Sequence, residues 1–150
     1  MNGKSPFRRA ASLTALVAAY WLPVIIWMGV IYTLSDRPDL TLGRVLPVFA
    51  SWGSTKGLDL ADLILRKMAH VTEYAILTAL VYRALRRRRV GFPVGPLFGW
   101  SGLYSVVFAF TDEFHQRFVP TRSGTLRDVV IDTAGVLLAL VILRYRARPG

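Results

Sequence analysis

Apolar residues in this chain are gathered into long uncharged runs rather than short alternations. Helices long enough to cross a bilayer are therefore the first expectation. Between Arg9 and Asp36 lie 26 residues without a charge, Ala10 to Ser35. Roughly 20 residues at 1.5 Å rise cover the hydrocarbon core, so this run spans it with some tilt. A cleaved signal peptide would have an apolar region of about 7–15 residues ending in small side chains. Here the run ends in Ile31, Tyr32, Thr33, Leu34, Ser35 and Asp36, a poor cleavage site. It reads as an uncleaved first span.

A second uncharged run, Val90 to Thr111, covers 22 residues. Gly91, Pro93, Gly95 and Pro96 suggest that it begins as a loop or a broken helix, leaving Leu97–Thr111 as the helical part. Two weaker stretches carry charges. Met68–Leu85 contains His70 and Glu73, and Val129–Leu143 contains Asp132; each is proline-free and rich in Leu, Val and Ala. The expected fold is an all-α membrane protein of four transmembrane helices. It forms one domain over residues 1–150, with spans at about 11–34, 67–85, 96–113 and 128–143. In the long first connection, Leu40–Trp52 is a candidate short interfacial helix. Asp59 is the expected N-cap of the helix leading into the second span.

Composition narrows the class. The chain is 53% hydrophobic with a net charge of +10, and its mean hydropathy is +0.42. So apolar a chain is not a soluble nucleic-acid binder, since one small core would not hide its apolar surface. Low hydrophobicity, the precondition of disorder, is absent. With no cysteine, thiolate chemistry, disulfides and cysteine-held zinc are excluded. With four spans, both termini and the second connection share one side, which holds 11 basic residues and no acid. The other side, helix ends included, holds 8 basic and all 9 acidic residues. The positive-inside rule then places both termini in the cytoplasm of a multi-pass cell-membrane protein. Arg86, Arg87, Arg88 and Arg89 face the anionic inner leaflet rather than a nucleic acid.

The candidate chemistry lies at the opposite end. On a helix, Lys67, His70, Glu73 and Tyr74 fall within an arc of about 120°. Asp112, Glu113 and Gln116 share a face of about 100° on the third helix. Asp128 and Asp132 stand at i, i+4 on the fourth, followed along the stripe by Gly135 and Ala139, whose small size lets another helix approach. Arg117, Arg122 and Arg127 lie in or beside the connection between these last two helices. Ionisable groups in a membrane face a bundle interior or wet cavity and pair there. The expected picture is an outward cup lined by Lys67, His70, Glu73, Asp112, Glu113, Gln116, Arg122 and Asp128.

Three readings stand at this point. The cup holds an anionic envelope ligand such as a lipid-linked phosphate, with Lys67 and Arg122 as a phosphate clamp. Alternatively it is a hydrolase or transferase acting on lipid-linked envelope precursors. His70 would then be the base, Lys67 and Arg122 would stabilise phosphate, and Asp112 and Glu113 would orient the ring or hold a metal. No metal motif fixes an ion, and no cofactor is assigned. The third reading is a structural partner in a membrane assembly, in which pairs such as Lys67–Asp128, Arg122–Asp112 and His70–Glu113 pin the helices together. A proton pathway is disfavoured because no ionisable residue continues into the inner half of any span.

The segment RKMAHVTEYAIL at Arg66–Leu77 resembles the first motif of the VanZ-like family. The segment TDEFHQRFVPTRSG at Thr111–Gly124 resembles the second, and DVVIDTAG at Asp128–Gly135 completes it. Trp27 followed by Tyr32–Asp36 is similar to the family's first span and its exit. The match runs over roughly residues 20–143 and departs at Thr121, where a glycine often stands. The resemblance implies a small multi-pass membrane protein whose family namesake is linked to low-level teicoplanin resistance. It carries no reaction over. The motif positions it marks are Lys67, His70, Glu73, Tyr74, Asp112, Glu113, Gln116, Pro120, Arg122, Asp128, Asp132 and Gly135.

Overall fold

The long uncharged run at the N-terminal end forms α1, Pro6–Ser35, thirty residues or about 45 Å of helix. Pro23 lies inside it and removes one backbone donor. A computed structural model of the chain describes residues 6–36, 55–88, 94–119 and 124–147. Three more helices follow: α2, Thr55–Arg88; α3, Val94–Gln116; and α4, Leu126–Arg146. Four helices and no strand are found among the described residues, in keeping with an all-α fold.

Helix boundaries differ from the expected ones for local reasons. Asp59 is not an N-cap, because α2 begins at Thr55 and runs through it. Propagation along a 34-residue helix carries weak helix formers such as Gly57 and Asp59, which would not nucleate one. α3 starts at Val94 and takes Pro96 into its first turn, where a missing N–H costs nothing. The N-cap of α4 is Thr125, whose hydroxyl accepts from the amide of Asp128 at 3.3 Å and donates to its carboxylate at 2.9 Å. Arg144 and Arg146 complement the dipole in its last turn. The proposed interfacial segment Leu40–Trp52 and residue Arg89 lie outside the described residues.

α2 is the central helix. It packs most extensively on α4, then on α3, and more lightly on α1, while α1 touches α3 at few places. Val24, Ile31, Tyr74, Leu77, Val81, Ala109 and Val136 form the buried core. The α2–α4 approach is set by Gly135, where a Cβ would lie 2.2 Å from the backbone oxygen of Val71. This is the close approach expected of the small-residue stripe, and Ala139 is buried beside it. Between α2 and α3, Thr78 donates to Ser105 at 3.0 Å and Ser105 to the carbonyl of Ser101 at 3.0 Å. These short hydroxyls bind helix to helix without a charge.

One described stretch, Val17–Ser35, is long and apolar enough by length and composition to cross a membrane. The other three helices lack that signature; ionisable residues such as Glu73 and Asp132 interrupt α2 and α4, and glycine, serine and tyrosine dilute the uncharged part of α3. Only 11% of the α1 stretch is buried, so it is not the core helix of a soluble domain. Large apolar side chains also point outward on every helix, including Ile25 on α1, Ile64 on α2, Val107 on α3 and Val141 on α4.

Candidate functional site

The antiparallel course of the helices brings the end of α1, the middle of α2, the end of α3 and the start of α4 together. Ser35, the last residue of α1, donates to Asp112 Oδ2 at 2.9 Å. Gln116, one turn along α3, donates to the same oxygen at 3.2 Å and to Glu113 Oε1 at 3.3 Å. The Tyr74 hydroxyl of α2 reaches Asp112 Oδ2 at 3.5 Å. The backbone amide of Thr125 donates to Glu113 Oε2 at 3.0 Å. One connected network thus spans all four helices.

Most sequence-predicted site residues converge here. His70, Glu73, Tyr74, Asp112, Glu113, Gln116 and Asp132 are buried, and Asp112, Asp132 and Tyr74 are wholly so. Lys67 and Asp128 form a partly buried ion pair between α2 and α4. That is one of the pairings expected from sequence. The lysine is thereby committed to a carboxylate, so it does not stand as an isolated phosphate clamp. His70 makes its ionic contact with Asp132, Nδ1 to Oδ1 at 3.2 Å, instead of with Glu113. The reason is register: Asp132 lies one turn beyond Asp128 on the α4 face that meets α2, as His70 lies about one turn beyond Lys67. Arg122 and Pro120 lie outside the described residues.

The cluster is only partly satisfied. His70 Nδ1, Asp112 Oδ1 and both carboxylate oxygens of Asp132 are buried without a hydrogen bond among the described residues. The His70–Asp132 contact is close but out of line for one. Buried polar atoms are normally paired, and unpaired ones mark strain, chemistry or a ligand. His70, Asp112 and Glu113 each offer a ligand atom within 4.8 Å of the others. One imidazole and two carboxylates in that space suit a divalent cation.

Ser35 and Thr125 belong to the site but escape a reading based on ionisable residues. Thr125 had a signal, the Thr-x-x-Asp spacing to Asp128 that marks a helix start. Ser35 lies in the Tyr32–Asp36 segment that resembles the family's first span, but nothing local ties it to Asp112, 77 positions away. A second histidine, His115, stacks on Tyr32 with ring centroids 4.2 Å apart and pairs with Asp36 at 2.8 Å. That pair is more exposed and ties α1 to α3 beside the cluster.

Beside the polar cluster runs an apolar groove of about 670 Å³. Trp21 and Met28 of α1, Val81 and Leu85 of α2, and an α3 stripe from Leu97 to Thr111 line it. Thr111, at the groove's end, immediately precedes Asp112. Tyr74 joins the two regions, as its ring meets Phe108 of the groove at 6.3 Å while its hydroxyl faces Asp112.

The VanZ/LLP1 family model matches residues 13–147. The chain belongs to the VanZ/LLP1 family, as its three motifs suggest. No curated protein and no solved structure matches it.

Proposed function

We propose that this member of the VanZ/LLP1 family is a four-span membrane protein that holds an anionic envelope lipid. The lipid phosphate sits at the outer polar cluster, and its hydrocarbon chain lies in the groove between α1 and α3. Both termini are cytoplasmic. Several observations support a bilayer setting. The first helix is apolar and largely unburied, and the other helices also present large apolar side chains outward. Arg83 and Arg87 lie 5.5 and 5.6 Å over the Tyr20 ring at the end remote from the cluster. Basic residues at that end fit the inner leaflet and the positive-inside rule.

The observation that carries the reading is the meeting of two opposite surfaces at Thr111 and Asp112. A buried polar cluster adjoins an apolar groove, so the complementary ligand has a polar head and an apolar chain. A link to teicoplanin susceptibility follows if that ligand is a wall-precursor lipid exposed at the outer face.

The test uses the whole protein in nanodiscs. It should retain a long-chain lipid monophosphate at least tenfold better than the corresponding neutral alcohol, and inorganic phosphate should compete poorly. Equal retention of the two lipids would refute the headgroup site, and full competition by inorganic phosphate would refute the role of the chain. Because the sequence has no cysteine, single cysteines introduced near residues 5 and 149 also report topology directly. Labelling of either one from outside the cell would overturn the orientation.

A further inference from the structure

We infer that the outer polar cluster is a divalent-cation site, with His70, Asp112 and Glu113 as protein ligands and Mn²⁺ or Zn²⁺ as the occupant. The inference deepens the headgroup reading, and it rests on that reading for the phosphate that the cation would bridge.

Three features of the cluster point to a cation. Asp112 is fully buried, yet its two oxygens are treated differently. Oδ2 accepts from Ser35 and Gln116 at 2.9 and 3.2 Å, while Oδ1 has no hydrogen bond among the described residues. A ligating carboxylate is held in this way, one oxygen fixed by outer donors and the other left for the ion. His70 Nδ1 lies 3.2 Å from Asp132 Oδ1, out of line for a hydrogen bond as the ring now stands but near enough for a small ring rotation to make one. A metal-binding imidazole characteristically turns one nitrogen to a carboxylate and offers the other to the ion. Glu113 is fixed at both oxygens, by Gln116 and by the amide of Thr125, and each oxygen retains a second lone pair. The three ligand atoms already lie within 4.8 Å of one another, so little rearrangement is needed to meet one ion.

Charge makes the same case. Around the cluster the described carboxylates are Glu73, Asp112, Glu113, Asp128 and Asp132, and Lys67 is already paired with Asp128. Carboxylates gathered this closely favour a cation, and a bound dication places positive charge where the headgroup arrives. Three protein ligands leave coordination positions for phosphate oxygens.

The full chain, purified in detergent and stripped with a chelator, is titrated with Mn²⁺ and followed by electron paramagnetic resonance, with Zn²⁺ as competitor. One equivalent per chain is expected. Asp112→Asn and His70→Gln, both close in shape to the original residues, should each weaken binding at least tenfold. His115→Gln, at the more exposed pair with Asp36, should leave it unchanged. Wild-type protein should also melt at a higher temperature with Mn²⁺ than with chelator, a readout that needs no variant to fold. Absence of saturable binding, or loss of binding in His115→Gln as large as in His70→Gln, overturns the inference.

A second arm separates the two proposals. Lipid monophosphate retained with Mn²⁺ and released by chelator supports the bridge. Equal retention in both conditions overturns the cation bridge and leaves the headgroup reading standing. One equivalent of Mn²⁺ bound without any preference for the phosphorylated lipid supports the cation site and refutes the headgroup reading.

Discussion

Two helix pairs in this molecule solve the packing problem in opposite ways. α2 and α4 approach at backbone distance, through Gly135 against Val71, with a buried carboxylate–histidine contact and a lysine–carboxylate pair on the same seam. α1 and α3 touch through side-chain tips. Ser35 meets Asp112, Tyr32 stacks on His115, and the Tyr104 hydroxyl lies 3.2 Å from the Met28 sulfur, with an apolar groove between the helices. The first pair has nothing left to adjust, so it fixes the positions of His70 and Asp132. The second leaves room for a guest beside groups that the first holds still. A site that must be rigid and yet admit a long apolar chain needs both kinds of contact.

The sharpest way to break this contrast is at the glycines. Gly135→Ala places a methyl group against the Val71 backbone, which cannot move without shifting a whole helix. A loss of about 3 kcal/mol is expected, the upper end for overpacking, seen as a fall in melting temperature in detergent. Gly29→Ala on α1 meets nothing within 4 Å. It should be neutral or stabilising by up to ~1 kcal/mol through helix propensity. If the two variants melted alike, the distinction between a locked and an open seam would be wrong.

Next in size is the tie between the two regions. Ser35→Ala removes a donor from the buried Asp112 carboxylate. The cost should be about 2 kcal/mol, as for hydrogen bonds to charged groups. Because Ser35 holds the end of α1 against α3, the same change should increase hydrogen exchange at the end of α1 more than in α4. Uniform exchange across the helices would show that the bundle behaves as one unit. Thr125→Ala should cost about 1 kcal/mol as a lost N-cap and loosen the start of α4 instead.

The legibility of the two seams differs for a physical reason. The α2–α4 seam repeats a helical period, so the stripe of Asp128, Asp132, Gly135 and Ala139, and the pairing of Lys67 with Asp128, could be read from spacing. The α1–α3 seam has no such period. Its polar contacts join residues 76 to 81 positions apart, and its groove arises because bulky side chains such as Trp21 and Tyr104 hold two helices off each other. The four helices were legible because charges punctuate the apolar runs. The early start of α2 was not, since Gly57 and Asp59 read as a boundary in isolation and become helical only as part of a longer segment. The sequence pairs His70 with Glu113, and that expectation fails because spacing along single helices does not show how two helices register. The packing register of α4 against α2 sets the pairing at Asp132.

The smallest expected change in stability is the most telling about the groove. Leu103 lines the groove and is 53% exposed. Leu103→Ala removes little buried surface from the fold, so stability should change by less than about 0.5 kcal/mol. A hydrocarbon chain lying along α3 would nonetheless lose contact with the missing carbons. Each CH₂ equivalent buried between ligand and protein contributes about 0.8 kcal/mol in water, and much less where the alternative is lipid. The expected loss is therefore small for a detergent-solubilised protein embedded with competing lipid. Leu103→Trp, which fills the groove, should give the larger loss, and should reduce retention of long-chain lipid monophosphate more than that of a short-chain analogue. Cation binding at Asp112 should survive both changes, since Leu103 lies more than two turns away on α3. Equal losses for long and short chains would place the ligand at the polar cluster alone, and the α1–α3 groove would then be a lipid-filled seam of no specificity.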